Sequence, residues 1–144
     1  MINRRSFLMT TFAYLGLIRL SHADDVQRFD EFGVLKENGI RHLSVRDSKN
    51  LIAAHPDVVV LDVRTPREYR AGHIEGAINV NYFSLSFKKN IEALDNSKAY
   101  LVHCKSGHRS GRAAPIMKKA GIVDVLHMDG GFDAWKKADF DVVR

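Results

Sequence analysis

Cys104, the only cysteine in the chain, opens the stretch Cys104-Lys105-Ser106-Gly107-His108-Arg109-Ser110 directly after the apolar run Tyr100-Leu101-Val102-His103. A lone cysteine is commonly inert core filler, but these neighbours favour a thiolate. The run reads as a strand that delivers the sulfur to the start of a loop, and a helical segment follows. Gly107 admits backbone angles closed to other residues, so the loop can curl and turn successive N–H groups inward as a nest for an anion. The helix N-terminus and the nearby cations act on the sulfur in the same direction. Ser106 and Ser110 add hydroxyl donors, Lys105 and Arg109 add charge near the rim, and His108 lies in the loop, either tuning the thiolate or simply exposed. The cup suits a thiolate, a persulfide or an oxyanion, and its chemistry is nucleophilic attack by sulfur.

Spacing narrows the choice. Only Lys105, Ser106, Gly107 and His108 separate Cys104 from Arg109. That is one residue fewer than in cysteine phosphatases, whose wider loop encloses a tetrahedral phosphate, and Ser110 stands where their arginine would be. The smaller loop suits a sulfur atom better than a phosphoryl group. Strand alternation turns His103 to the face opposite Cys104, which argues against it as a catalytic base. His42, His55 and His127 show no ligand-like spacing, and a zinc site from His103, Cys104 and His108 would need the strand to twist sharply.

The elements that must position this loop alternate. Ser44-Val45-Arg46-Asp47 has the form of a helix start, running to about Ala54 and stopped by His55-Pro56-Asp57. Val58-Val59-Val60-Leu61 is an unbroken, mostly β-branched run of the kind buried on both faces of a sheet. Thr65-Pro66-Arg67-Glu68 is a second capping box with proline at the first helical position. Residues 77–80 suit a strand, 87–94 a helix, 100–103 a strand, 109–120 a helix closed by Gly121, 123–128 a strand and 131–137 a last helix plugged into the core by Phe132 and Trp135. Pro115 and Gly111 weaken the helix after the loop and predict a kink or a later start. Residues 24–43 are ambiguous: Val26, Phe29, Phe32 and Leu35 fit a helical stripe, while Asn38-Gly39 equally suits a tight turn. Strand alternating with helix through short loops predicts an open, mainly parallel α/β sheet, with reactive groups just beyond the carboxyl ends of its strands.

The net charge of +5 overstates how basic the domain is. Residues 1–23 hold Arg4, Arg5 and Arg19 and no acid, leaving 19 basic against 17 acidic residues in the rest, a net +2. No basic run with interleaved aromatics follows, so no nucleic-acid partner is expected. One cysteine makes no internal disulfide. Asn3-Arg4-Arg5-Ser6-Phe7-Leu8-Met9, an apolar stretch to Ile18 and Ser21-His22-Ala23 look like a twin-arginine export signal cleaved after Ala23. The alternative is an uncleaved anchor, but a dozen apolar residues span only ~18 Å as helix against a ~30 Å hydrocarbon core. The expected organisation is an export signal at 1–23, lost with His22, an N-terminal extension at 24–39 and a domain at 40–144. The mature protein is expected in a bacterial periplasm, without stable membrane association.

Four ordered motifs carry a resemblance. Leu61-Asp62-Val63-Arg64-Thr65-Pro66-Arg67-Glu68-Tyr69, Gly72-His73-Ile74-Glu75-Gly76-Ala77-Ile78-Asn79, the Cys104 loop with Arg109-Ser110, and Gly130-Gly131-Phe132-Asp133-Ala134-Trp135 resemble the signatures of single-domain rhodaneses, over about residues 40–138. The resemblance implies an α/β/α sandwich around a five-stranded, mainly parallel sheet. It also implies a thiosulfate sulfurtransferase in which Cys104 attacks the outer sulfur of a thiosulfate-like anion and passes the resulting persulfide sulfur to cyanide or a thiol, with no metal or organic cofactor. His73 then belongs to a structural turn. Lys105, Ser106, Gly107, His108, Arg109, Ser110 and Arg64 would bind the donor. Arg64, expected near the loop mouth, is equally placed for a buried ion pair with Asp62 or Glu68. Lys105 is a rim cation or a solvated bystander, and Arg109 faces the donor or lies on the first helical turn. A non-catalytic persulfide carrier handing sulfur between proteins is the alternative from another class, and a phosphatase or arsenate-reducing relative is disfavoured by loop length.

Overall fold

The computed structural model describes residues 28–36 and 38–144; the leader with its arginine pair, Ala23 and Val26 lie outside them. Strands β1 (Val34–Leu35), β2 (Ile40–Leu43), β3 (Val59–Asp62), β4 (Ile78–Asn79), β5 (Ala99–His103) and β6 (Asp124–Met128) form one sheet in the order β1-β2-β6-β5-β3-β4. Only the β1–β2 pair is antiparallel. Helices α1 (Val45–Ala54), α2 (Pro66–Ala71), α3 (Phe87–Glu92) and α4 (His108–Lys119) connect successive strands from β2 to β6, and α5 (Gly131–Lys137) follows β6.

The parallel α/β class is as the sequence predicts, but the sheet has six strands rather than five. The extra one comes from the residues read as an extension. Asn38-Gly39 forms the tight turn, with Gly39 at φ +73 and its N–H on Lys36 O, and folds β1 back on β2. Among the described residues, Phe29, Phe32 and Leu35 lie on no helix. Phe29 and Phe32 instead enter the core from a turn and meet the edge of the His55 ring.

Side-chain alternation along β5 divides the interior. Ala99 and Leu101 join Leu51 of α1 and Phe132 and Trp135 of α5 on one face, while Tyr100, Val102 and Cys104 join Ile91 of α3 and Ala113, Ala114 and Met117 of α4 on the other. Each Leu or Met sealed in these layers contributes about 1.5–3 kcal/mol. Local signals start the helices as expected: Ser44 accepts the Asp47 N–H ahead of α1, and Thr65 and Glu68 close a reciprocal capping box around Pro66. Helix α4 has no late start: it begins at His108 and runs through Pro115 to Lys119. Its end is a Schellman turn: Gly121, at φ +91, donates to Lys118 O and Ile122 to Met117 O.

Candidate active site

Strand β5 ends at His103 and releases the chain at the carboxyl edge of the sheet. Four residues later Gly107, at φ +98, starts α4. Between them the Cys104 sulfur accepts the Gly107 N–H at 3.2 Å and the Ser110 hydroxyl at 3.4 Å. The cysteine is only 1% exposed. Burial alone pushes the thiol up, yet the Ser110 hydroxyl and the amides of Ser110, Ser106 and Gly107 outweigh it and hold the group below its ordinary value. Ser110→Ala is therefore expected to raise the thiol pKa, since a hydrogen bond that favours the anion is lost. The inflection of iodoacetamide alkylation against pH measures it.

The amides point inward because the carbonyls are held elsewhere. Phe132 N–H donates to Cys104 O and Asp133 N–H to Lys105 O, both at 2.8 Å, so the first turn of α5 grips the back of the loop. That approach needs Gly131, at φ +60: a Cβ there would lie 2.6 Å from Cys104 O.

Two arginines take positions that the sequence left open. Arg109 makes a bidentate pair with Glu68 at 2.8 Å to each oxygen, its guanidinium lying near enough to the Cys104 sulfur for each charge to favour the other. Arg64 does not serve the loop mouth. It is 3% exposed, bonded through Nε and Nη2 to Asp62, with Nη2 also on Gly72 O, and its plane lies 3.9 Å above the Phe132 ring centroid. It is the buried ion pair of β3, because Asp62 is sealed in the sheet and a carboxylate there requires a partner.

Glu68 thus serves two elements. Arg109 first, then the Thr65 amide and hydroxyl, hold its carboxyl down to about 2 against the opposing cost of burial. A folded-state pKa below the ordinary 4.5 means a contribution to stability that is present above that value and lost as pH falls toward about 2. Glu68→Gln is expected to lower Tm at pH 6 and to converge with the parent near pH 2, as thermal unfolding across pH would record.

Around the rim, Lys105 is exposed with Nζ 3.6 Å from Asp133, and Ser106 and His108 are exposed. His103 is buried on the opposite face, stacked on Phe132, and its burial keeps the ring neutral. His73 stacks on Tyr69 and bonds its carbonyl, a turn contact. His55 stays apart, but His42 and His127, which showed no ligand-like spacing, come together. His127 Nε2 lies 2.8 Å from Ser110 Oγ, its Nδ1 lies 2.8 Å from Asp129 Oδ1, and His42 Nδ1 reaches that same oxygen at 2.9 Å. These contacts link the Cys104 sulfur through Ser110 and His127 to Asp129; the single Ser110 hydroxyl hydrogen goes to the sulfur when His127 Nε2 carries a hydrogen, and to Nε2 when it does not. Sequence reasoning missed this link; the one available signal is His127-x-Asp129, which alternation places on one face of a strand.

The rhodanese-like domain family model matches residues 44–138. The chain belongs to the rhodanese-like domain family. It is similar to the thiosulfate sulfurtransferase GlpE of Pseudoalteromonas translucida, 34% identical over 101 residues that make up 68% of this chain and 90% of that one. It is also 35% identical over 83 residues to the protein YqhL of Bacillus subtilis, a match spanning 58% of this chain and 64% of YqhL. Among solved structures, a rhodanese-related protein from Thermoplasma volcanium superposes with a TM-score of 0.61 at 32% identity, covering 72% of this chain and 97% of its own. In this rhodanese-like domain the loop, the Glu68–Arg109 pair and the α5 grip thus lie together at the carboxyl end of β5.

Proposed function

We propose that this rhodanese-like domain is a thiosulfate-type sulfurtransferase working through a Cys104 persulfide. The observation that carries the reading is the sulfur itself: buried, yet met by amide and hydroxyl donors that favour its anion. In the first half-reaction the thiolate attacks the outer sulfur of thiosulfate. The new S–S bond forms as the donor's own bond breaks, and sulfite leaves with the electron pair. In the second, cyanide or a thiolate attacks the outer persulfide sulfur and returns Cys104 to its thiolate. The nest holds negative charge at sulfur in both halves, and each donor aimed at developing charge supplies about 2.7–4 kcal/mol.

Mass spectrometry of the purified protein after thiosulfate exposure tests the reading. A gain of one sulfur atom on Cys104, with turnover of thiosulfate and cyanide to thiocyanate, supports it, and an unloaded Cys104 overturns it. Loading without turnover would instead favour the carrier reading, for which the exposed Phe83 and Leu85 speak: Phe83 lies 5.5 Å from the Arg109 guanidinium, beside the site. The same spectrum reads the proposed export, since twin-arginine processing would leave a chain beginning at Asp24.

Lys105, exposed at the rim, is proposed to attract the dianionic donor. Lys105→Ala is expected to raise the thiosulfate KM about two- to five-fold, the scale of one exposed ionic interaction. Its kcat should hold and its salt dependence should flatten, a pattern that steady-state kinetics at two ionic strengths would separate.

A further inference from the structure

We propose that His42, His127 and Asp129 form a binding site for a divalent transition ion of the zinc class, set behind Ser110 and apart from the Cys104 sulfur. The site is built on backbone. Strands β2 and β6 lie side by side in parallel, and His42 and His127 are register partners, so their rings stand next to each other on one face with centroids 5.0 Å apart. Asp129 follows His127 by two residues, and its own N–H is pinned to Leu43 O at 2.9 Å.

Three ligand atoms converge there: one ring nitrogen of each histidine and one Asp129 oxygen lie within 4.8 Å of one another. Both Nδ1 atoms lie within hydrogen-bond distance of a single carboxylate oxygen, at 2.9 and 2.8 Å, to which the Nδ1–H tautomers donate. An ion would take the place of those two hydrogens. Zinc bonds to nitrogen and carboxylate oxygen run about 2.0–2.2 Å, so tetrahedral ligand atoms stand about 3.3 Å apart, and the two nitrogen–oxygen gaps would open by about half an ångström. Each neutral imidazole would bind through Nδ1 and carry its hydrogen on Nε2.

A second observation points the same way. A ligating histidine characteristically has its other ring nitrogen hydrogen-bonded, which orients the ring. His127 Nε2 has Ser110 Oγ at 2.8 Å, and Ser110 is itself fully buried. The side toward solvent is open, since Asp129 is 55% and His42 29% exposed beside the buried His127. That leaves an entry path and room for water in the remaining coordination positions. Two imidazoles and one carboxylate suit zinc and its transition-metal neighbours rather than magnesium or calcium, which prefer oxygen alone.

The test uses the full chain carrying Cys104→Ser, so that the thiol neither binds metal nor ties the outcome to sulfur transfer. Zinc is titrated into metal-stripped protein by calorimetry, and cobalt is followed by its visible absorption. One ion per chain is expected. His42→Ala and Asp129→Asn should each weaken binding by at least about 100-fold, beyond the 10–100-fold typical of losing an outer partner. His108→Ala, altering a loop histidine outside the cluster, should leave the zinc affinity as it is. Both cluster substitutions fall on partly exposed side chains, and circular dichroism checks that the variants stay folded. Absence of saturable binding, or binding that survives either cluster substitution, overturns the proposal.

Discussion

Cys104→Ser is expected to abolish sulfur loading and thiocyanate formation together, by about 10⁴-fold or more, as losing a nucleophile does elsewhere. The substitution keeps the shape of the side chain and leaves an oxygen to accept the Gly107 N–H. Stability should therefore change little, and matching thermal unfolding curves would confirm that chemistry alone was lost. A serine hydroxyl is not ionised near neutral pH, and the donors that lower a thiol cannot bring it within reach. Residual transfer at a tenth of the parent rate would move the nucleophile away from Cys104 and sink the proposed cycle.

Gly131→Ala has the second largest expected effect, and it falls mainly on the fold. The residue sits at φ +60, and the added methyl would lie 2.6 Å from Cys104 O and 2.7 Å from Lys105 O. The obstacle is backbone on both sides, so no flexible side chain can yield. A left-handed conformation costs a residue bearing a Cβ about 1–2 kcal/mol, and forced overpacking about 1–3 kcal/mol more. Together these amount to about 2–5 kcal/mol, a drop readable by urea unfolding. Relief would come by drawing α5 off the loop, which weakens the Phe132 and Asp133 hydrogen bonds to residues 104 and 105. The Cys104 amide cradle should loosen with them, raising the thiol pKa in the alkylation assay. An unchanged unfolding midpoint would mean that the grip on the loop is not tight.

Local rules made much of this fold legible. The Thr65-Pro66-Arg67-Glu68 box, the β-branched run before Asp62 and the strand leading to Cys104 act within a few residues of themselves, and all form. What escaped notice depends on pairing between distant segments. Glu68 read as a helix cap and as one of two partners for Arg64, but it bonds Arg109, 41 residues away. Arg64 could be assigned only once Asp62 was seen to be sealed inside the sheet. The β2–β6 register that brings His42 beside His127 has no signature in either strand alone. Residues 34–35 were too short a run to announce β1 before the Asn38-Gly39 turn was known to form.

The depth of the sulfur makes the two halves of the proposed cycle unequal. At rest the Cys104 sulfur is all but sealed, at 1% exposure, so little of it is open to any reagent. Once loaded, the terminal atom stands about 2 Å further out, one S–S bond length. On the proposed cycle the loaded enzyme would thus offer its outer sulfur to acceptors beyond the reach of the buried thiol itself.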